Sequence, residues 1–206
     1  MSLNNTVVQI CPHCDSQQEL QYYQTVNITL QPELKNKVLS GKLNENTCSN
    51  CKKEINIIAG FLYHDMKNKI MLELSVADVK EEKDEGKEKI LEDMIAQGYI
   101  YRKVYDYEKL VEKINIFDSK LNDLVVQKVS DKMKDMLDES ITKVAEIKED
   151  FHFNVFYKKI ENGLFKKKIS FYCYSNPGQI LEVKHDIKNL DADEKTNLYN
   201  LEILRK

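Results

Sequence analysis

The sequence has no tryptophan, only three prolines and only six glycines in 206 residues. So few glycines leave little room for a backbone cradle around phosphates. No G-x-x-x-x-G-K-S/T run, dinucleotide-binding glycine pattern, G-x-S-x-G elbow or H-E-x-x-H helix is present. These absences argue against the common nucleotide-binding and hydrolase classes. No stretch approaches the ~18 apolar residues of a membrane span. Residues 1–10, MSLNNTVVQI, lack the basic start and apolar run of a secretory leader. The expected location is therefore cytoplasmic, with no membrane association. Neither sign of charge dominates, since the net charge is -3, and the molecule as a whole does not attract a polyanion. The balance drifts along the chain: even over residues 1–74, acidic over 75–150 and mildly basic over 151–206. At 42% hydrophobic and 32% charged residues, the composition is that of a folded protein rather than a disordered one. Its length suits one large domain or two small ones.

What the sequence does have is five cysteines: Cys11, Cys14, Cys48, Cys51 and Cys173. In a reducing compartment, paired cysteines point to metal or redox chemistry before structural disulfides. The first four form two C-x-x-C pairs, CPHC and CSNC, separated by 33 residues. A pair two residues apart places both sulfurs on one ion, and two pairs complete a tetrahedral S4 shell that suits Zn2+. The expected metal ligands are Cys11, Cys14, Cys48 and Cys51. Four sulfurs leave no open position for water, so the ion would be structural. The redox alternative needs a thioredoxin setting, with a leading β-α-β unit and a helix starting at the motif. Only ten residues precede Cys11, a strand-like run follows, and CSNC would be left without a role. Cys173, in ISFYCYS, reads as a small apolar strand residue.

Residues 20–30, LQYYQTVNITL, read as a strand. Pro32-Glu33-Leu34 starts a short helix that Ser40-Gly41 ends. EINIIAGFLY (54–63) reads as one strand and 70–74 as another, so each knuckle leads into β-structure. Residues 76–97 interleave charges as a solvated helix, and IYRKVYD is a strand. Asp106 is placed to cap a helix with Leu110, Val111 and Ile114 inward, and Asp118-Ser119 to cap a long amphipathic one. In that long helix Val126, Val129, Met133, Met136/Leu137, Ile141, Val144 and Ile147 form a core stripe. From residue 151 two β-runs flank Asn162-Gly163, a type I′ hairpin signal. A turn at Asn176-Pro177-Gly178, a third strand and a final helix capped by Asp191 or Asp193 and ending near Leu201 follow. The fold class is α+β: a zinc-ribbon-like antiparallel β module with an inserted short helix, then helices, then a C-terminal β-hairpin, strand and helix.

Read in order, these pieces resemble the CpXC domain family, a bacterial group taken to bind zinc. The matching residues are Cys11-Pro12-x-Cys14, Pro32-Glu33-Leu34, Gly41 with Leu43-Asn44, Cys48-x-x-Cys51, Leu62-Tyr63-His64-Asp65 and the later YEKLVEKINIFDSKLNDLVV. The resemblance covers roughly residues 8–126. CSNC departs from it in lacking the proline or glycine common in such knuckles. The resemblance implies zinc on the four cysteines and no established activity. Together with the change of period near residue 150, it gives an expected domain layout of 1–128 for the zinc-binding domain with its helical extension, 129–149 for a connecting helix, and 150–206 for a C-terminal α+β module.

Three other features invite a functional reading. His64-Asp65 could supply a base or a further metal ligand. Adjacent strand residues point to opposite faces, however, which disfavours a dyad and suits a turn role. His13 is expected to face solvent, and His152 and His185 have no visible partner. The hairpin interleaves Lys158, Lys159, Lys166, Lys167 and Lys168 with Phe156, Tyr157, Phe165 and Phe171. That pattern suits single-stranded nucleic acid; equally, it is an ordinary hairpin whose lysines guard an edge. The reading that results is a zinc-binding, non-catalytic binding or adaptor protein with an unknown protein partner. Nucleic-acid binding through residues 151–172 is one alternative. A thiol redox sensor, or an enzyme using His64 and Asp65, is the other.

Overall fold

The computed structural model describes residues 2–76, 85–144, 153–163, 166–175 and 179–205. Across them the chain is α+β, with ten strands in three sheets and five α-helices. It divides into two compact units. One runs to Val111 and takes in Arg205, and the other is Glu112–Leu204.

The first unit opens with β1 (Leu3–Ile10), antiparallel to β2 (Gln17–Asn27). β1 was not expected from the sequence, although Thr6, Val7, Val8 and Ile10 are all strand formers. Helix α1 (Glu33–Leu39) follows with Leu34 and Val38 buried and Glu33 in its first turn, and Gly41 at φ 72 ends it. β3 (Glu45–Thr47) and β4 (Glu54–Asn56) pair antiparallel as a separate two-stranded ribbon. The run EINIIAGFLY is broken rather than one strand: after β4 the chain restarts as β5 (Phe61–Asp65). The chain re-enters the sheet through Gly60, where a Cβ would lie 2.7 Å from the Leu74 carbonyl oxygen. β6 (Ile70–Leu74), α2 (Glu85–Ala96) and β7 (Ile100–Val104) complete the unit.

The main sheet has the order β1-β2-β5-β6-β7. It is mixed rather than wholly antiparallel, because β2 runs parallel to β5 and β6 parallel to β7. Each parallel pair needs a crossover. Residues 28–60 supply the first, so the second knuckle travels within a crossover. The pleat sorts β5 into buried Phe61, Tyr63 and Asp65 on one face and half-buried Leu62 and His64 on the other.

α3 (Tyr107–Asp118) carries the chain from one unit into the next, and Asp106 caps it as expected: its Oδ1 accepts from the Glu108 amide at 2.7 Å. Leu110 and Ile114 are buried, but Val111 is only half-buried, and Glu112 takes the inward place. The Glu112 carboxylate accepts from the Tyr157 amide at 2.6 Å. The long helix is α4 (Asp123–Val144). Asp118-Ser119 does not cap it. Asp118 closes α3, Lys120 turns the chain at φ 58, and Asn122 accepts from the Leu124 amide at 3.0 Å. Val126, Val129 and Met133 bury against Phe153, Val155, Ile169, Phe171 and Cys173 of the C-terminal strands. Met136 is 61% exposed and lies off the stripe, while Leu137 packs on it.

Those strands are β8 (Phe153–Asn162), β9 (Lys167–Ser175) and β10 (Gln179–Asp186), in the order β10-β9-β8. Asn162 pairs with Lys167 and so ends β8 instead of sitting in a two-residue turn. The connection is longer, closed by the Gly163 amide on the Lys166 carbonyl at 2.9 Å. α5 (Ala192–Asn197) has a capping box, Asp191 with Glu194. It stops short of Leu201, and a short 3-10 turn, Glu202–Arg205, follows. The turn expected at Asn176-Pro177-Gly178, residues 77–84 of the charged helix, Ile147, His152 and Phe165 lie outside the described residues.

Candidate metal centre

The two knuckles occupy equivalent places at hairpin tips. Residues 11–16 join β1 to β2, and residues 48–53 join β3 to β4. Their backbone bonds match. The Cys11 amide donates to the Ser16 carbonyl at 2.9 Å and the Cys48 amide to the Lys53 carbonyl at 2.9 Å. The Asp15 amide returns to the Cys11 carbonyl at 3.0 Å and the Lys52 amide to the Cys48 carbonyl at 3.1 Å. The residue after the second cysteine is left-handed in both loops, Asp15 at φ 56 and Lys52 at φ 63. CSNC therefore makes the same turn as CPHC without a proline or glycine.

This symmetry brings the four sulfurs together. The Sγ atoms of Cys11, Cys14, Cys48 and Cys51 all lie within 4.8 Å of one another. Cys11 and Cys51 are 3.8 Å apart, and Cys14 and Cys48 are 3.7 Å apart. Cys11 and Cys48 are buried, Cys14 and Cys51 half-buried, and all four are free thiols. Among the described residues no other group of three or more histidines, cysteines or acids has ligand atoms this close.

The surroundings of Cys14 and Cys48 favour sulfur in its anionic form. The His13 amide points at the Cys11 sulfur and the Cys51 amide at the Cys48 sulfur, each at 3.4 Å. Ser16 Oγ lies 3.0 Å from the Cys14 sulfur, and Asn50 Nδ2 donates to it at 3.5 Å. The Ser16 hydroxyl, then the Ser16 amide, hold the Cys14 thiol down at about 5. The Cys51 amide lowers Cys48. Cys51 goes the other way. The Lys53 amide pulls it down, but burial and the crowding of the other sulfurs carry it up to about 11. Four sulfurs this close cannot all ionise without a cation among them, because each new thiolate repels the rest. A soft cation removes that conflict. The donor set and spacing fit a metal ion.

One supporting residue was not visible in the sequence. Gln18 is buried and bridges the knuckles. Its Nε2 donates to Ser16 Oγ at 2.9 Å, and its Oε1 accepts from the Ser49 amide at 2.8 Å and the Ser49 hydroxyl at 2.9 Å. Behind the sulfurs sit Leu20, Ile55 and Ile57, with half-buried Val7, Tyr22 and Ala59.

The other candidates fall elsewhere. Asp65 is buried and serves a turn, accepting from the Asn68 amide at 3.0 Å and from Asn68 Nδ2 at 2.6 Å. His64 stacks near Tyr99 with ring centroids 5.4 Å apart. Its Nε2 is buried without a hydrogen bond, and burial lowers its pKa. The two are not brought together as a dyad. His13 is exposed. Cys173 is buried in β9, and that burial raises its pKa. The hairpin lysines mostly meet acids: Lys158 reaches Glu182 at 2.7 Å, Lys159 Glu161 at 3.4 Å and Lys168 Asp186 at 3.8 Å. Tyr157 and Phe171 are buried.

The family model described as CpXC protein matches residues 10–130. This chain belongs to the CpXC family. The match contains both knuckles, α1 and the β5–β6 hairpin, and stops within α4 before the C-terminal strands. No curated protein and no solved structure matches the chain. Among the described residues no helix is long and apolar enough to cross a membrane.

Proposed function

We propose that this CpXC protein is a non-catalytic binding protein whose ribbon is held by one structural zinc ion on Cys11, Cys14, Cys48 and Cys51. The sulfur spacing carries the reading. A tetrahedral ion with Zn–S bonds of about 2.3 Å puts its ligands about 3.8 Å apart. Two of the four knuckle-to-knuckle pairs stand at 3.8 and 3.7 Å, and all the sulfurs lie within 4.8 Å of one another. Thiolates select soft ions over magnesium or calcium. Four of them fill the shell, so the ion activates no water. A reducing compartment such as the cytoplasm keeps the sulfurs available.

The partner we assign is a protein. The first unit presents a groove of about 570 Å³ lined by Leu43, Ile57, Ile58, Phe61, Tyr105 and Tyr107, among others. Ile58 is 87% exposed and Tyr105 65% exposed at its rim. Such a patch is the kind that protein partners cover. Nucleic-acid binding along the hairpin has less support, because Lys158, Lys159 and Lys168 already face carboxylates.

The test is metal content on protein purified without added metal, with thiols counted before and after chelation. One zinc per chain, and four thiols that become reactive only on chelation, is the expected result. Metal-free protein with Cys11 and Cys14 oxidised to a disulfide overturns the reading. Reversible zinc release by peroxide would move the assignment to a redox sensor. Ile58→Asp should abolish capture of a protein partner while leaving zinc content intact.

A further inference from the structure

Basic residues on and just after the C-terminal sheet form two populations. Lys158, Lys159, Lys168 and Lys184 each have a carboxylate within reach, at 2.7 Å (Glu182), 3.4 Å (Glu161), 3.8 Å (Asp186) and 2.9 Å (Glu161) respectively. The other population surrounds a cavity of about 310 Å³, lined by Lys166, Lys167, Lys188, Lys195, Asp186 and Ile187. Its lysines come from separate parts of the chain: Lys166 just before β9, Lys167 at its start, Lys188 in the 3-10 turn after β10, and Lys195 in α5.

Charge around this cavity is not balanced. Asp186 is the one acid in its wall, and it is already shared between Lys168 at 3.8 Å and Lys188 at 3.9 Å. Lys166 and Lys195 have no acidic partner among the described residues. Lys167 has only the Tyr199 ring, 5.9 Å from its Nζ to the centroid. Four ammonium side chains around one cavity repel one another and add nothing to folding. A multiply charged anion turns that repulsion into binding. Lysine serves phosphate as a compact point charge with three donors. Ile187 is the single apolar residue in the wall, and the rest of its apolar surface comes from the aliphatic stems of residues that carry charge. Its volume lies at the lower end of small-ligand pockets.

We propose that this cavity binds an oligophosphate, a di- or triphosphate chain, held by Lys166, Lys167, Lys188 and Lys195. The site is separate from the four cysteines and does not rest on the zinc reading.

The experiment is calorimetric titration of the zinc-loaded full-length chain with inorganic tripolyphosphate at low salt, repeated at about 0.5 M salt, where the screening length falls to a few ångströms. The wild type should bind at low salt and lose most of its affinity at high salt. The double variant Lys166→Glu/Lys195→Glu should bind at least tenfold more weakly, with unchanged circular dichroism, since both side chains are exposed. Lys158→Gln, outside the cavity, should bind like the wild type. ATP matching tripolyphosphate, with adenosine inert, would confirm that the phosphate chain is what is read. The proposal fails if the wild type does not bind tripolyphosphate, if the double variant binds as well as the wild type, or if adenosine binds as well as ATP. It fails equally if a single-stranded oligonucleotide binds and tripolyphosphate neither binds nor competes.

Discussion

The region around the four cysteines and the region around α4 both pack β-structure, but with different material. Behind the sulfurs the buried apolar side chains are Leu20, Ile55 and Ile57. Around α4 the buried cluster includes Phe153, Phe171, Ile169, Val155, Val126, Val129, Leu121, Leu190 and Leu198. Burying one large aliphatic or aromatic side chain is worth about 1.5–3 kcal/mol. Three of them supply less than the roughly 10–16 kcal/mol associated with a structural zinc. On the zinc reading proposed above, the metal bonds would stand in for a core in the knuckle region, whereas the α4 region has a core of its own. β3 and β4 show the consequence in their length, three residues each, too short for an isolated two-stranded hairpin to hold itself.

Removing the metal should separate the two regions most widely. Chelation, or Cys48→Ser, is expected to unfold the knuckle hairpins, with amides of residues 11–27 and 45–56 exchanging rapidly. Amides of β8 and β9 should stay protected. Hydrogen exchange read by mass spectrometry resolves the two segments. Equal loss of protection in both would show that the α4 region does not stand on its own core.

The reciprocal experiment is Phe171→Ala. Phe171 is fully buried beneath α4, and truncating it should cost about 3–5 kcal/mol. The transition of the α4 region should move to lower denaturant while zinc per chain stays unchanged. Loss of zinc from this variant would contradict the division drawn here.

A finer cut falls within the knuckle region. Gln18→Ala removes the bridge between Ser16 and Ser49 without touching a sulfur. Ser16 is half-buried and Ser49 exposed, so both can turn to water, and the loss should cost about 0.5–1.5 kcal/mol. Positions next to metal ligands also tune affinity, typically by 10- to 100-fold. Competition with a chromophoric chelator should show weaker zinc retention at the same stoichiometry. Unchanged retention would reduce Gln18 to an ordinary buried amide.

Much of this contrast was legible in the residues. The doubled C-x-x-C announced one four-sulfur cluster because chemistry restricts what two such pairs can do in a reducing setting. The α4 stripe was readable through Val126, Val129 and Met133 because helical spacing and burial coincide there. The misses share a cause: tertiary contacts that leave no local mark. Position 60 within a run of strand formers must be glycine because the backbone of Leu74 lies against it. Asn122 caps α4 in place of Asp118-Ser119 because Lys120 turns the chain first. Glu112 is buried where Val111 was expected because the bulged β8 leaves the Tyr157 amide to be satisfied. Gln18 looked like one polar residue among many in DSQQELQ, and only the second knuckle, 31 positions away, gives it a role.

The smallest expected effect tests whether the two knuckles are equivalent despite their different letters. Lys52 stands at φ 63 and Asp15 at φ 56. A left-handed backbone costs an L-residue roughly 1–2 kcal/mol, less for aspartate, whose short side chain tolerates it. The strain is therefore greater in CSNC than in CPHC, and Lys52→Gly should relieve it. Lys52 Nζ also donates to the Ser49 carbonyl at 2.7 Å, so Lys52→Ala is the proper reference: it removes that bond and keeps the strain. Glycine should be more stable than alanine at this position by about 1 kcal/mol, after the extra freedom glycine gives the unfolded chain is set against it. Asp15→Gly against Asp15→Ala should show a smaller gap. Denaturant titrations followed by zinc release measure both differences. If the gap at position 15 equals or exceeds that at position 52, backbone strain is not what distinguishes the knuckles.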